Sequence, residues 1–172
     1  MINIEFEISD PVDVVFEGKG KYKFISRDCR RNFLSSISFS QYERKQGVYI
    51  FALRSGKGYM PWYVGKTNGK RGMVQECMTP DKSTKYNEAL RRSLGTPVIF
   101  FVVRPGNKYI APKQVVNDME KQLTQDALAK NPYLINIQNT KNLPRWSING
   151  VVRANQGRPS QLAKAFSKMM GI

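Results

Sequence analysis

No histidine occurs in this chain, and cysteine occurs only at Cys29 and Cys77. Zinc centres need closely spaced thiolates and imidazoles, and no such set exists here. A catalytic metal would have to be held by oxygen ligands, which selects magnesium or manganese. Without histidine the commonest general base is missing too, so proton chemistry falls to tyrosine, lysine, arginine and carboxylates. Long apolar runs are equally lacking: none approaches the ~18 residues that cross a bilayer. The start, Met1 to Ile8, alternates apolar and polar residues. That is a strand pattern, with neither the basic start nor the continuous apolar core of a signal peptide. A cytoplasmic protein with no membrane partner is expected.

Acids are scarce. Thirteen Asp and Glu face 28 Lys and Arg, a net charge of +15 on 172 residues. So large an excess on a small chain calls for a polyanion, and nucleic acid is the leading candidate. Hydrophobic residues make up 41%, enough for a packed core. The length suits one domain with extensions.

Residues 1–44 form an N-terminal extension, with Ile2, Ile4, Phe6 and Ile8 lining one face of a first strand that Asp10-Pro11 breaks. Short strands are expected near Val14–Phe16 and Tyr22–Ile25, then a short helix around Arg27, Arg30 and Arg31. A hairpin follows, with strands over Val48–Leu53 and Trp62–Lys66 joined by the loop Arg54–Pro61. Both faces of its first strand are apolar, so that strand is central and covered on both sides. A short helix ends at Thr79-Pro80, a second runs from Ser83 to Leu94, and Pro97–Val103 is a buried strand. Pro112 opens a long helix to Lys130, which Asn131-Pro132 ends. The order is β-β-α-α-β-α, an α/β fold with a small, mainly antiparallel three-stranded sheet flanked by helices and extra N-terminal strands. Residues 45–137 form the core. Residues 138–172 form a basic C-terminal extension with Trp146 and a helix over Gln161–Met170, either docked on the core or contacting DNA.

Chemistry concentrates around the hairpin. Glu120 falls beside Val116, Leu123 and Ala127 on the wheel of the long helix, at about 100° per residue. A carboxylate on that inward face needs a paired arginine or a bound cation. Tyr49 and Tyr63 sit on neighbouring strands, with Lys66 just beyond. A phenol, with a pKa near ~10, works as a base only where a cation stabilises its phenolate. Gly65-Lys66-Thr67 is no phosphate loop, because that motif's upstream glycine is absent.

Gly47-Val48-Tyr49 and Tyr63-Val64-Gly65 resemble the two name-giving tripeptides of the GIY-YIG nuclease family, over Gly47 to Asn136. The resemblance implies a divalent-metal-dependent endonuclease acting on DNA, of a kind suited to phage or mobile elements. It makes Glu120 the ligand of one Mg2+ or Mn2+ ion. Tyr49, Tyr63 and Lys66 would orient and activate water, and Asn136 would steady the site. The family's arginine usually stands where this chain has Met73. Arg71 is the nearest substitute, and two residues on a continuous helix turn a side chain by about 200°. That departure keeps a second reading open, a catalytically degraded module that only binds nucleic acid. A basic structural protein of a ribonucleoprotein particle is a third.

Overall fold

The computed structural model describes residues 4–37, 41–56, 58–68, 71–135 and 160–171. The chain divides into two compact units, Met1–Thr140 and Lys141–Ile172. Strands β1 (Glu7–Ile8) and β2 (Val12–Asp13) and helix α1 (Arg27–Ile37) precede a hairpin of β3 (Gly47–Ser55) and β4 (Gly58–Thr67). Helices α2 (Met73–Cys77) and α3 (Pro80–Arg92), strand β5 (Thr96–Val103) and helix α4 (Lys113–Lys130) complete the first unit. The second unit contributes α5 (Gln161–Met170).

From Gly47 to Lys130 the element order is the expected β-β-α-α-β-α. The sheet, however, has five strands, not three. Its long strands run β5-β3-β4, all antiparallel, with β3 in the centre. Both β1 and β2 pair with the free side of β5, Glu7 opposite Val103 and Val12 opposite Ile99. The N-terminal segment is thus part of the sheet. Pro11 has no N–H to give a ladder, which divides the segment into two short strands. Ile8, expected to face the core, is exposed, and Ser9 is buried in its place. There its hydroxyl accepts from the Phe101 N–H at 2.9 Å and its own N–H donates to the Phe101 carbonyl at 2.8 Å.

The hairpin is longer than its turn-rich composition suggested. Arg54 pairs with Tyr59 and Ser55 with Gly58, leaving a two-residue turn with Gly56 at φ 57°. The Tyr59 ring meets Phe100 edge-on at 5.1 Å, and this cross-strand contact helps hold the extension as strand. Between Phe51 and Ala52 the register slips, their partners being Tyr63 and Pro61, so Trp62 is the extra residue of a bulge. Thr79-Pro80 starts a helix as well as ending one. The Thr79 hydroxyl caps α3 by accepting from the Lys82 N–H, and Pro80 occupies its first turn.

Alternation along β3 sends Tyr49, Phe51 and Leu53 to one face and Val48 and Ile50 to the other, as its apolar pattern requires. On the first face they pack with Met73, Tyr86 and Leu90 of α2 and α3 and with Phe33 of α1. On the second, Val48 and Val64 pack with Val116 and Ala127 of α4. No helix among the described residues is long and apolar enough to cross a membrane.

Candidate active site

Strand β4 carries side chains to both faces of the sheet, and the sequence-predicted residues separate accordingly. Tyr49 and Tyr63 lie together on the face covered by α2 and α3. Their rings stack with centroids 6.3 Å apart. Tyr49 is opposite Gly65 in the ladder, and its ring lies across that glycine. A Cβ at residue 65 would land on the Tyr49 Cζ and Oη, so only glycine leaves room for the phenol.

Lys66 is opposite Val48 and shares its face, the one covered by α4. There its Nζ donates to Glu120 Oε2 at 2.6 Å. The Glu120 side chain is 9% exposed and that of Lys66 32%. An inward carboxylate on an amphipathic helix needs a cation, and Lys66 supplies it. Sequence reasoning placed Lys66 beside the tyrosines, but the pleat sends it through to the other face.

The cation at the tyrosines is Lys82, which the sequence reading missed. Its Nζ donates to Tyr63 Oη at 2.8 Å and lies 5.1 Å from the ring centroid. Lys85, one turn further along α3, lies 5.5 Å from the same ring. Partial burial pulls the Lys82 amine down. The hydrogen bond to Tyr63 and the charges of Tyr63, Glu76 and Asp81 outweigh that, and its pKa ends above the ordinary lysine value. Placing the helix start at Ser83 left Lys82 outside it. The Thr-Pro pair at 79 and 80 was the available signal, since a capping threonine before a first-turn proline puts Lys82 inside.

Tyr49 differs from Tyr63. Its hydroxyl is buried with no hydrogen-bond partner among the described residues. Burial pushes its pKa far above the ordinary phenol value, and the charges of Tyr63, Cys77, Glu76 and Glu120 push it further. Burial thus disfavours the phenolate that a role for Tyr49 in proton removal would need.

Arg71 stands outside α2 and is exposed. Its carbonyl accepts from Thr67 Oγ1 at 2.7 Å, while its guanidinium makes no hydrogen bond or ion pair among the described residues. The start of α2 is fixed one step later. Gly72 lies against the backbone of Glu43 and Arg44, and the Met73 N–H donates to the Lys45 carbonyl at 3.0 Å. Met73 itself is fully buried in the tyrosine-side core. Asn136 lies outside the described residues, as do Trp146 and Gly157-Arg158-Pro159.

No group of three His, Cys, Asp or Glu side chains gathers among the described residues. A hard cation held by the Glu120 carboxylate would have to take the rest of its shell from water or substrate phosphate. Comparison with family models, with curated proteins and with solved structures finds no match to this chain.

Proposed function

We propose that the protein is a divalent-metal-dependent endonuclease that hydrolyses DNA phosphodiester bonds, with its chemistry at the β4 edge. The Tyr63 hydroxyl beside the Lys82 ammonium is the observation that carries this reading. The ammonium favours the phenolate form of Tyr63, and that phenolate can take a proton from water and become the neutral phenol. Tyr49, held neutral by burial, orients by contact and takes no proton. Glu120 is the residue to hold Mg2+ or Mn2+; a bound ion supplies Lewis acidity toward the scissile phosphate and the leaving oxygen. Lys66 positions the Glu120 carboxylate through its 2.6 Å contact. The charge of +15 draws in the DNA backbone in a salt-dependent way. Arg71 is free to swing onto a bound phosphate, and Asn136 keeps its resemblance-based role in steadying the site.

A second reading has its own observation. Lys66 already neutralises Glu120, and the position where the GIY-YIG family usually has arginine holds the buried Met73. That combination suits a nucleic-acid-binding module with a degraded site. Plasmid nicking with magnesium, manganese or EDTA separates the two. The nuclease reading expects metal-dependent nicking that Glu120→Gln abolishes. Tight, salt-sensitive binding with no nicking under any metal selects the binding module.

A further inference from the structure

A cleft of about 330 Å³ opens beside the candidate site, lined among the described residues by Trp62, Arg92 and Tyr133. Trp62 immediately precedes Tyr63 and is there because of the β4 bulge, which seats both rings in one apolar cluster. Bulges near functional sites commonly re-aim a side chain in this way.

Each wall is held. The Trp62 carbonyl accepts from the Ile135 N–H at 2.9 Å, tying the segment after α4 to the bulge. Asn131 donates from Nδ2 to the Pro61 carbonyl at 2.8 Å and accepts from the Tyr133 N–H at 3.0 Å. Leu134 is buried in the α4-side core, while Tyr133 beside it is 70% exposed. Arg92, in the last turn of α3, pairs with Glu88. The indole Nε1–H of Trp62, on a residue only 5% exposed, is buried without a hydrogen-bond partner among the described residues. An orphaned buried donor is unfavourable, and an acceptor close by would remove that cost.

Two aromatic side chains and a guanidinium around a small cleft suit a flat, polar, anionic ligand. A nucleotide has all three properties: a π-face for the exposed Tyr133 ring, acceptors for the Trp62 N–H at the cleft wall, and a phosphate that can compete with Glu88 for Arg92. The volume is at the lower end of the ~300–1,000 Å³ usual for ligand pockets, enough for one nucleotide. A paired base offers only its edges, because its faces are stacked on its neighbours. We infer that this cleft takes one unpaired nucleobase of a nucleic-acid strand, so that the protein engages DNA at single-stranded, gapped or distorted positions. The inference rests on the nucleic-acid reading of the adjacent site and adds to it a structural preference.

The test uses the full chain carrying Trp146→Phe, which leaves Trp62 as the sole tryptophan. Binding of a labelled single-stranded oligonucleotide and of its duplex is followed by anisotropy and Trp62 emission, in EDTA so that nothing is cut. The strand should quench Trp62. Tyr133→Ala, an exposed position, should weaken single-strand binding by ~5- to 100-fold, the size of a stacked base's contribution. Duplex affinity should change less than about twofold, and Tyr133→Phe should restore the strand. The inference is overturned if Tyr133→Ala leaves strand binding intact or weakens strand and duplex alike. It is also overturned if no strand binds, or if a free nucleoside monophosphate quenches Trp62 and the strand does not. Failure of the nuclease reading looks different: an uncut plasmid with Tyr133-dependent strand binding removes the nuclease and keeps the cleft.

Discussion

The two faces of strand β4 handle charge in opposite ways. On the α4 face, Glu120 and Lys66 form a close ion pair that is mostly shielded from water. On the α2–α3 face, the stacked pair Tyr49 and Tyr63 meets the Lys82 ammonium at a single hydroxyl, that of Tyr63. One face has its charges settled within the fold; the other has a polarised oxygen and an orphaned one. In the proposed nuclease, the first face would hold and position the metal and the second would move the proton. The difference also makes the two tyrosines unequal, although they stack on each other and each belongs to one of the two tripeptides.

The largest effect expected is on cleavage, at the tyrosine face. Tyr63→Phe removes the proton-accepting oxygen and should lower the nicking rate by roughly 10²- to 10⁴-fold with DNA affinity unchanged. Lys82→Met should lower it by about 10- to 100-fold, since no ammonium then favours the phenolate that accepts the proton. The Lys82 amine has its pKa raised above the ordinary 10.5, so its contact with Tyr63 is fully present below that value. It is lost only as pH rises through the higher folded value. The variant should therefore differ from wild type throughout the neutral range. A Tyr63→Phe protein that nicks at the wild-type rate would remove Tyr63 as the base and dissolve the contrast between the faces.

Next in size is the stability of the ion pair. Glu120→Ala strands the Lys66 ammonium and should cost about 1–3 kcal/mol in urea denaturation. The double variant Glu120→Leu with Lys66→Met, which removes both charges, should recover most of that loss. A double-mutant cycle reads the coupling directly. Additive losses would mean that the contact contributes nothing, and that the two faces do not differ as described.

Much of this arrangement was legible in the chain. The apolar alternation of Val48 to Leu53 gave a central strand with two covered faces, and the position of Glu120 on its helix gave a buried carboxylate in need of a cation. Three things were not legible, each for a physical reason. A bulge at Trp62 depends on where Pro61 pairs, which local sequence does not state. The division of Lys66 from the tyrosines follows from pleat parity, which overrides closeness in sequence. The place of Arg71 is fixed by a tertiary contact, Gly72 against the backbone of Glu43 and Arg44, that no helix wheel contains. Lys82 was legible and was missed, because Pro80 was read as the end of one helix and not as the first turn of the next.

The smallest effect tests whether Tyr49 is the silent member of the pair. Its hydroxyl has no partner among the described residues, so Tyr49→Phe removes a buried orphan and should raise stability by up to ~1 kcal/mol at neutral pH. The pH dependence follows from its raised pKa. The unfolded chain releases this proton near the ordinary 10.0, whereas the folded chain keeps it. The unfolded state thus binds fewer protons above that value, and folding stability falls as pH rises past it. Tyr86, fully buried with its pKa likewise raised by burial and by neighbouring charges, adds to the same fall. Tyr49→Phe should make the alkaline decline shallower by one proton's share without shifting where it begins. An absorbance titration should show the ionisation of one tyrosine fewer at the unfolding step. If Tyr49→Phe instead destabilises the fold at neutral pH, the hydroxyl has a partner, and the inequality of the two tyrosines has to be sought in Lys82 alone.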